Sequence, residues 1–75
     1  MDSKLQTFLM LCQTMNYRMA AERLPLSQPA VTKQIQSLEQ SLQTKLFTFD
    51  GHTLRITESF LLLERYAIYM HYQIE

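Results

Sequence analysis

Residues 26–42 read LSQPAVTKQIQSLEQSL, and the fold turns on how this stretch is read. Ser27 is a good helix cap, and Pro29 falls in the first turn that follows, where a missing N–H costs nothing. Val31, Ile35, Leu38 and Leu42 then recur at spacings of four, three and four, which makes one apolar stripe along a helix. The other side carries Gln28, Pro29, Thr32, Lys33 and Gln36, with no acid until Glu39. One side packs, and the other is dressed for a partner.

Upstream, Leu5, Phe8, Leu9, Cys12 and Met15 form the stripe of a first helix over residues 3–15. Asn16 is placed to cap a short second helix, RMAAERL, in which Ala20 and Ala21 allow a neighbour to come close and Pro25 ends the run. Downstream, short β-prone runs flank Asp50-Gly51, a hairpin signal. From Thr57 the chain reads as a last helix running to residue 75 with no Gly, Pro or C-cap. The fold class expected is mainly α. It is a winged helix-turn-helix over residues 1–56, with a three-helix core and a two-stranded wing, followed by a long linker and dimerisation helix over residues 57–75.

Composition narrows the function. At 75 residues the chain is one small domain, and folding at this size hides only about 60% of the unfolded surface. It is 47% hydrophobic with one Gly and two Pro, which suits a compact helical domain. Cys12 is the single cysteine, so no internal disulfide forms; it sits on the apolar stripe of the first helix and reads as a core side chain. No run approaches the ~18 apolar residues of a membrane span, and the N-terminus lacks the pattern of a signal peptide, so a cytoplasmic protein is expected. His52 and His71 have no partners spaced for a metal, and no nucleophile has a base and an orienting group beside it; neither metal, cofactor nor enzyme activity is expected.

A capped helix after a tight turn is the device that presents side chains to the major groove of double-stranded DNA, which admits one helix. Gln reads a base edge with two hydrogen bonds, Thr bonds a base or touches a thymine methyl, and Lys meets guanine or phosphate. From spacing alone, Gln28, Thr32, Lys33 and Gln36 serve equally as an ordinary solvated face. The net charge of zero counts against nucleic-acid binding, because such domains are usually basic.

The segment MAAERLPLSQPAVTKQIQSLEQSLQTKLF resembles the N-terminal DNA-binding domain of LysR-type transcriptional regulators. AAERL, SQPAVTKQI, the LE before Leu42 and the LF at 46–47 fall in the family's order and spacing, as do Gly51 and LRIT at 54–57. The resemblance covers the chain from Leu5 to about Ala67. It implies a bacterial regulator that binds promoter DNA as a dimer or tetramer. It further implies that Ser27, Gln28, Pro29, Thr32, Lys33 and Gln36 on the third helix meet the major groove while the wing lies over the minor groove and backbone. Members also carry a long effector-binding domain, so these residues are expected to be a DNA-binding portion with part of its linker helix.

Several positions depart from that pattern. Phe49, His52 and Thr53 stand in the wing where the family commonly has Arg, with Asp50 between them. Gln43 and Met15 replace glycines common at turns, and Phe60 replaces a small residue near the start of the last helix. Among the cations, Arg18 and Arg55 are expected to reach phosphate, whereas Arg23 is expected to pair with a nearby acid. The last helix is apolar on more than one face, which implies a second copy of the chain. Leu62, Tyr66, Tyr69 and Met70 are the expected dimer contacts, with Leu61 and Ile68 turned inward. The rival reading is a protein-interaction module in which DNA binding has decayed and the long helix pairs with another regulator.

Overall fold

The computed structural model describes residues 3–59 together with Leu61, Arg65, Ile68 and Tyr69. Three helices, α1 (Ser3–Thr14), α2 (Tyr17–Arg23) and α3 (Gln28–Leu42), are followed by an antiparallel pair of strands, β1 (Phe47–Asp50) and β2 (Thr53–Ile56). This is the expected three-helix core with a two-stranded wing.

Local chemistry sets each boundary. The α1 helix ends as Met15 enters the left-handed region (φ 50°), its N–H donating to the Leu11 carbonyl at 2.7 Å. Asn16 then caps α2 as expected, its Oδ1 accepting from the Met19 N–H at 2.9 Å. Ser27 caps α3, its Oγ accepting from the Ala30 N–H at 3.2 Å, with Pro29 in the first turn. At the far end Gln43 adopts φ 55°, ψ 38°, the left-handed cap usually given to glycine. Gly51 (φ 65°) makes the wing turn; an added Cβ would meet no atom within 4 Å, so conformation, not space, calls for glycine there.

The core is Phe8, Leu11, Ala20, Ala21, Val31, Ile35, Leu46 and Phe47. Packed against both α2 and α3, α1 buries a broader face than one stripe. Thr7, Phe8 and Leu11 lie at its centre, and Leu5, Leu9, Cys12 and Met15 flank it. The Thr7 hydroxyl donates to Gln34 Oε1 and so ties α1 to α3. On α3, Val31 and Ile35 are buried and Leu38 packs against them. Leu42, expected in the same stripe, is instead 43% exposed, and the buried position beyond Ile35 belongs to Glu39. The cause is the reversal at Gln43, which folds Leu46 and Phe47 back over position 39 and leaves Leu42 uncovered. Phe47 meets Phe8 with ring centroids 6.0 Å apart and tilted by 59°.

After β2, the Thr57 N–H donates to the Leu46 carbonyl at 3.1 Å and its hydroxyl to the Lys45 carbonyl at 2.6 Å, closing the base of the wing. Glu58 and Ser59 are helical, as are Leu61, Arg65, Ile68 and Tyr69. Leu61 and Ile68, expected to turn inward, are instead 49% and 43% exposed. Phe60, Leu62, Tyr66, Met70 and His71 lie outside the described residues. Among the described residues, no helix is long and apolar enough to cross a membrane.

Candidate nucleic-acid interface

Burial of Val31 and Ile35 fixes the rotation of α3 and so decides what faces outward. Gln28, Pro29, Lys33 and Gln36 are exposed and Thr32 is half-buried; all five border one shallow recess along the helix. Ser27, also exposed, spends its hydroxyl on the cap. The polar face expected from spacing is thus one continuous surface, free of carboxylates, at the N-terminal half of the helix, where the dipole is positive.

A second recess joins this face to α2 and the wing. Met15, Asn16, Tyr17, Arg18, Gln28, Phe49, His52 and Leu54 line it, so Arg18 and the wing tip stand beside the start of α3. Arg55 does not border it. Its guanidinium lies 3.5 Å from Asp50 across the wing, both groups largely exposed. A pair in that setting is worth ~0–1 kcal/mol and yields readily to a phosphate. Among the described residues no carboxylate lies within ion-pair distance of Arg23, for which a pair was expected, and the side chain is exposed. In a helix as short as α2 the one acid, Glu22, is its immediate neighbour in sequence, and adjacent helical residues point apart.

Two residues of this region escaped the sequence reading. Glu39 is buried, and its Oε2 accepts from the N–H groups of Leu46 (2.8 Å) and Phe47 (3.3 Å) while Oε1 lies 3.9 Å from Lys45 Nζ. Its signal in the sequence was an acid four residues after Ile35 and eight after Val31, on the core side of the helix. Tyr17 stacks on Phe49 with centroids 6.2 Å apart and planes inclined by 27°. Burial, then the nearby negative charge of Glu39, raises its phenol above the ordinary tyrosine range. Phe49 itself stays 63% exposed at the place where a basic wing would carry a cation.

Residues 3–59 match the family described as bacterial regulatory helix-turn-helix protein, lysR family. The chain belongs to this family. An uncharacterized HTH-type transcriptional regulator encoded in the ibpB-leuC intergenic region of Azotobacter vinelandii is 44% identical over 57 residues, 76% of this chain and 40% of that protein. The HTH-type transcriptional regulator CitR of Bacillus subtilis is 42% identical over 59 residues, 77% of this chain and 20% of CitR. The chain therefore spans well under half the length of these relatives. Among solved structures, a LysR-family transcriptional regulator from Eggerthella lenta superposes with a TM-score of 0.83 at 40% identity, covering 87% of this chain and 93% of that one. The CbnR DNA-binding domain in complex with DNA superposes with a TM-score of 0.89 at 27% identity, covering 99% of this chain and 86% of that one. The winged helix-turn-helix of the LysR family is thereby the fold of this chain.

Proposed function

We propose that the chain is the sequence-specific DNA-binding unit of a bacterial transcriptional regulator, reading double-stranded DNA in the major groove with α3. The observation that carries this is the acid-free recess of Gln28, Pro29, Thr32, Lys33 and Gln36 on a helix whose opposite face is buried through Val31 and Ile35, in a chain whose fold is that of a domain solved on DNA. Gln28, Thr32, Lys33 and Gln36 read base edges, with Ser27 and Pro29 beside them in the major groove, while Arg18 and Arg55 meet the sugar-phosphate backbone and fix the register. The regulator works in the cytoplasm, where the promoters are.

A two-fold operator needs two reading helices about one turn of DNA apart, ~34 Å, and so a dimer. The helical residues after the wing supply the surface for it: Tyr69 joins Leu61 and Ile68 among the large exposed apolar side chains. Leu62, Tyr66 and Met70 complete the proposed contact.

Selection of bound duplexes from a random library, followed by gel shifts at low salt, tests the reading. A two-fold consensus bound far more tightly than scrambled DNA is the expected outcome. Retention of the scrambled and selected duplexes to the same extent, or of neither, would favour the rival role as a protein-interaction module.

A further inference from the structure

Beyond the packing of Phe47 and Leu54 on the core, the wing meets the helices through two further contacts on the side of its first strand. At its root, the Leu46 and Phe47 N–H groups both converge on Glu39 Oε2, which belongs to α3, the helix that carries the polar face. Two residues further along β1, on the same face of the strand as Phe47, the Phe49 ring lies against Tyr17, the first residue of α2 and the neighbour of Arg18. Glu39 and Tyr17 are electrostatically linked, since the carboxylate charge contributes to holding the phenol protonated.

These anchors matter because the hairpin is short. Each strand has four residues, and a two-stranded hairpin of that size has little stability of its own. Its direction is therefore set from outside. With a rise of about 3.3 Å per residue, β1 projects ~13 Å from its root, so a rotation of about 20° there would move the tip by ~4–5 Å. That exceeds the reach of a hydrogen bond to phosphate. A carboxylate accepting main-chain N–H groups is a charge-assisted and short-range restraint, suited to holding such an angle.

We infer that Glu39 and Tyr17 are positioning residues that fix the wing relative to α3 and so determine which backbone positions flanking the major-groove site are contacted. The inference rests on the proposed DNA-binding reading. Glu39 does not touch DNA in this arrangement, being buried; it acts through Leu46 and Phe47. Tyr17 acts through the ring of Phe49.

The test compares four variants of the chain on a duplex selected by the wild type. Glu39→Met removes the acceptor at similar volume, Glu39→Gln restores an acceptor oxygen, Tyr17→Leu removes the stacking partner, and Leu11→Val trims the core on α1 as a control for lost stability. Hydroxyl-radical footprints and amide ¹⁵N relaxation are recorded for each. In Glu39→Met and Tyr17→Leu the flanking protections should fade while the central ones persist, and wing order parameters should fall from ~0.85 towards ~0.6. Glu39→Gln should recover most of both. Leu11→Val, even at a matched fall in melting temperature, should keep the flanking protections. If Glu39→Met keeps them, or Leu11→Val loses them equally, the positioning role is wrong and DNA binding stands. Should Glu39→Met fail to fold, Tyr17→Leu decides by the same criteria. A wild-type chain that selects no duplex overturns the DNA-binding reading and this inference with it.

Discussion

Gln43 and Met15 offer a paired test of how this small domain is stabilised, because they share a backbone conformation and differ in what their side chains do. Both are left-handed, at φ 55° and φ 50°. An L-residue held there costs roughly 1–2 kcal/mol, which glycine avoids, though glycine returns ~0.5–1 kcal/mol through its freer unfolded chain. Gln43 is exposed, so Gln43→Gly gives up no buried surface. A net gain of about 0.5–1 kcal/mol is expected, and a domain of this size responds by about 4–8 °C in melting temperature per kcal/mol. Met15 packs against the core, so Met15→Gly also discards a part-buried side chain. Full truncation of a buried Met costs ~2–5 kcal/mol, and even half of that outweighs the conformational relief. Met15→Gly should therefore lower the melting temperature. Thermal and urea unfolding followed by circular dichroism reads both signs. If Gln43→Gly melts no higher than the wild type, left-handed strain at the end of α3 is not a cost the domain carries. If Met15→Gly stabilises, the packing assigned to that side chain is wrong.

On a selected duplex, Gln28→Ala should weaken binding by about 1–3 kcal/mol and relax preference at one base pair with folding unchanged; titrations against single-base variants check this, and equal affinity for the wild-type site would remove Gln28 from the reading set. With about three phosphate-contacting cations per protomer, log affinity should fall with log salt at a slope near −5 for a dimer, and Phe49→Arg should steepen it by about one unit per protomer; an unchanged slope means that position 49 does not approach the backbone. Because Tyr17 ionises later when folded than when unfolded, the folded state binds more protons once the pH passes the ordinary tyrosine value of 10.0, so its contribution is intact below that value and lost as pH rises through the raised one. Urea titrations should show a steeper alkaline loss of stability in the wild type than in Tyr17→Phe, and identical profiles would contradict the burial of the phenol. Sedimentation at tens of micromolar should show a wild-type dimer and a folded Tyr69→Glu monomer with sharply weaker DNA binding; a monomeric wild type would dispose of the proposed interface, since an unpartnered charge is costly to bury.

Helix starts, turns and the wing were legible because each is specified by residues close in sequence. Asn16 and Ser27 cap with their own side chains, and Asp50-Gly51 places the one glycine where φ is 65°. The polar face of α3 was legible for the same reason, as the complement of a buried stripe. What escaped depends on contacts between distant segments. Leu42 satisfies the helical period, yet the period cannot say where the neighbouring element ends, and the chain reverses before covering it. The part played by Glu39 was not legible because the two N–H groups that hold it belong to residues seven and eight positions on. The stack of Tyr17 on Phe49 joins α2 to a strand 32 positions away. Phe49 was noticed as a missing cation, but spacing gave no sign of the ring it rests on.

The zero net charge, a caution in the sequence, takes on a different meaning once the exposed face is known. Phosphate contacts from Lys and Arg hold any duplex, whereas amide and hydroxyl contacts to base edges distinguish one sequence from another. A wing with Phe49 and His52 where the family commonly has cations lowers the first kind of contact, while the proposed base-reading face of α3 keeps the second. Each protomer on the proposed reading is thus a weak binder whose discrimination, at about 1–3 kcal/mol for each well-made base contact, is a large share of its total affinity. On that reading a protomer holds a half-site only weakly by itself at physiological salt. Joining two of them makes the second engagement intramolecular and multiplies affinity without adding non-specific charge. On the proposed reading, weak cationic grip makes dimerisation a requirement, and Phe49→Arg should lessen the penalty that loss of the dimer imposes on binding.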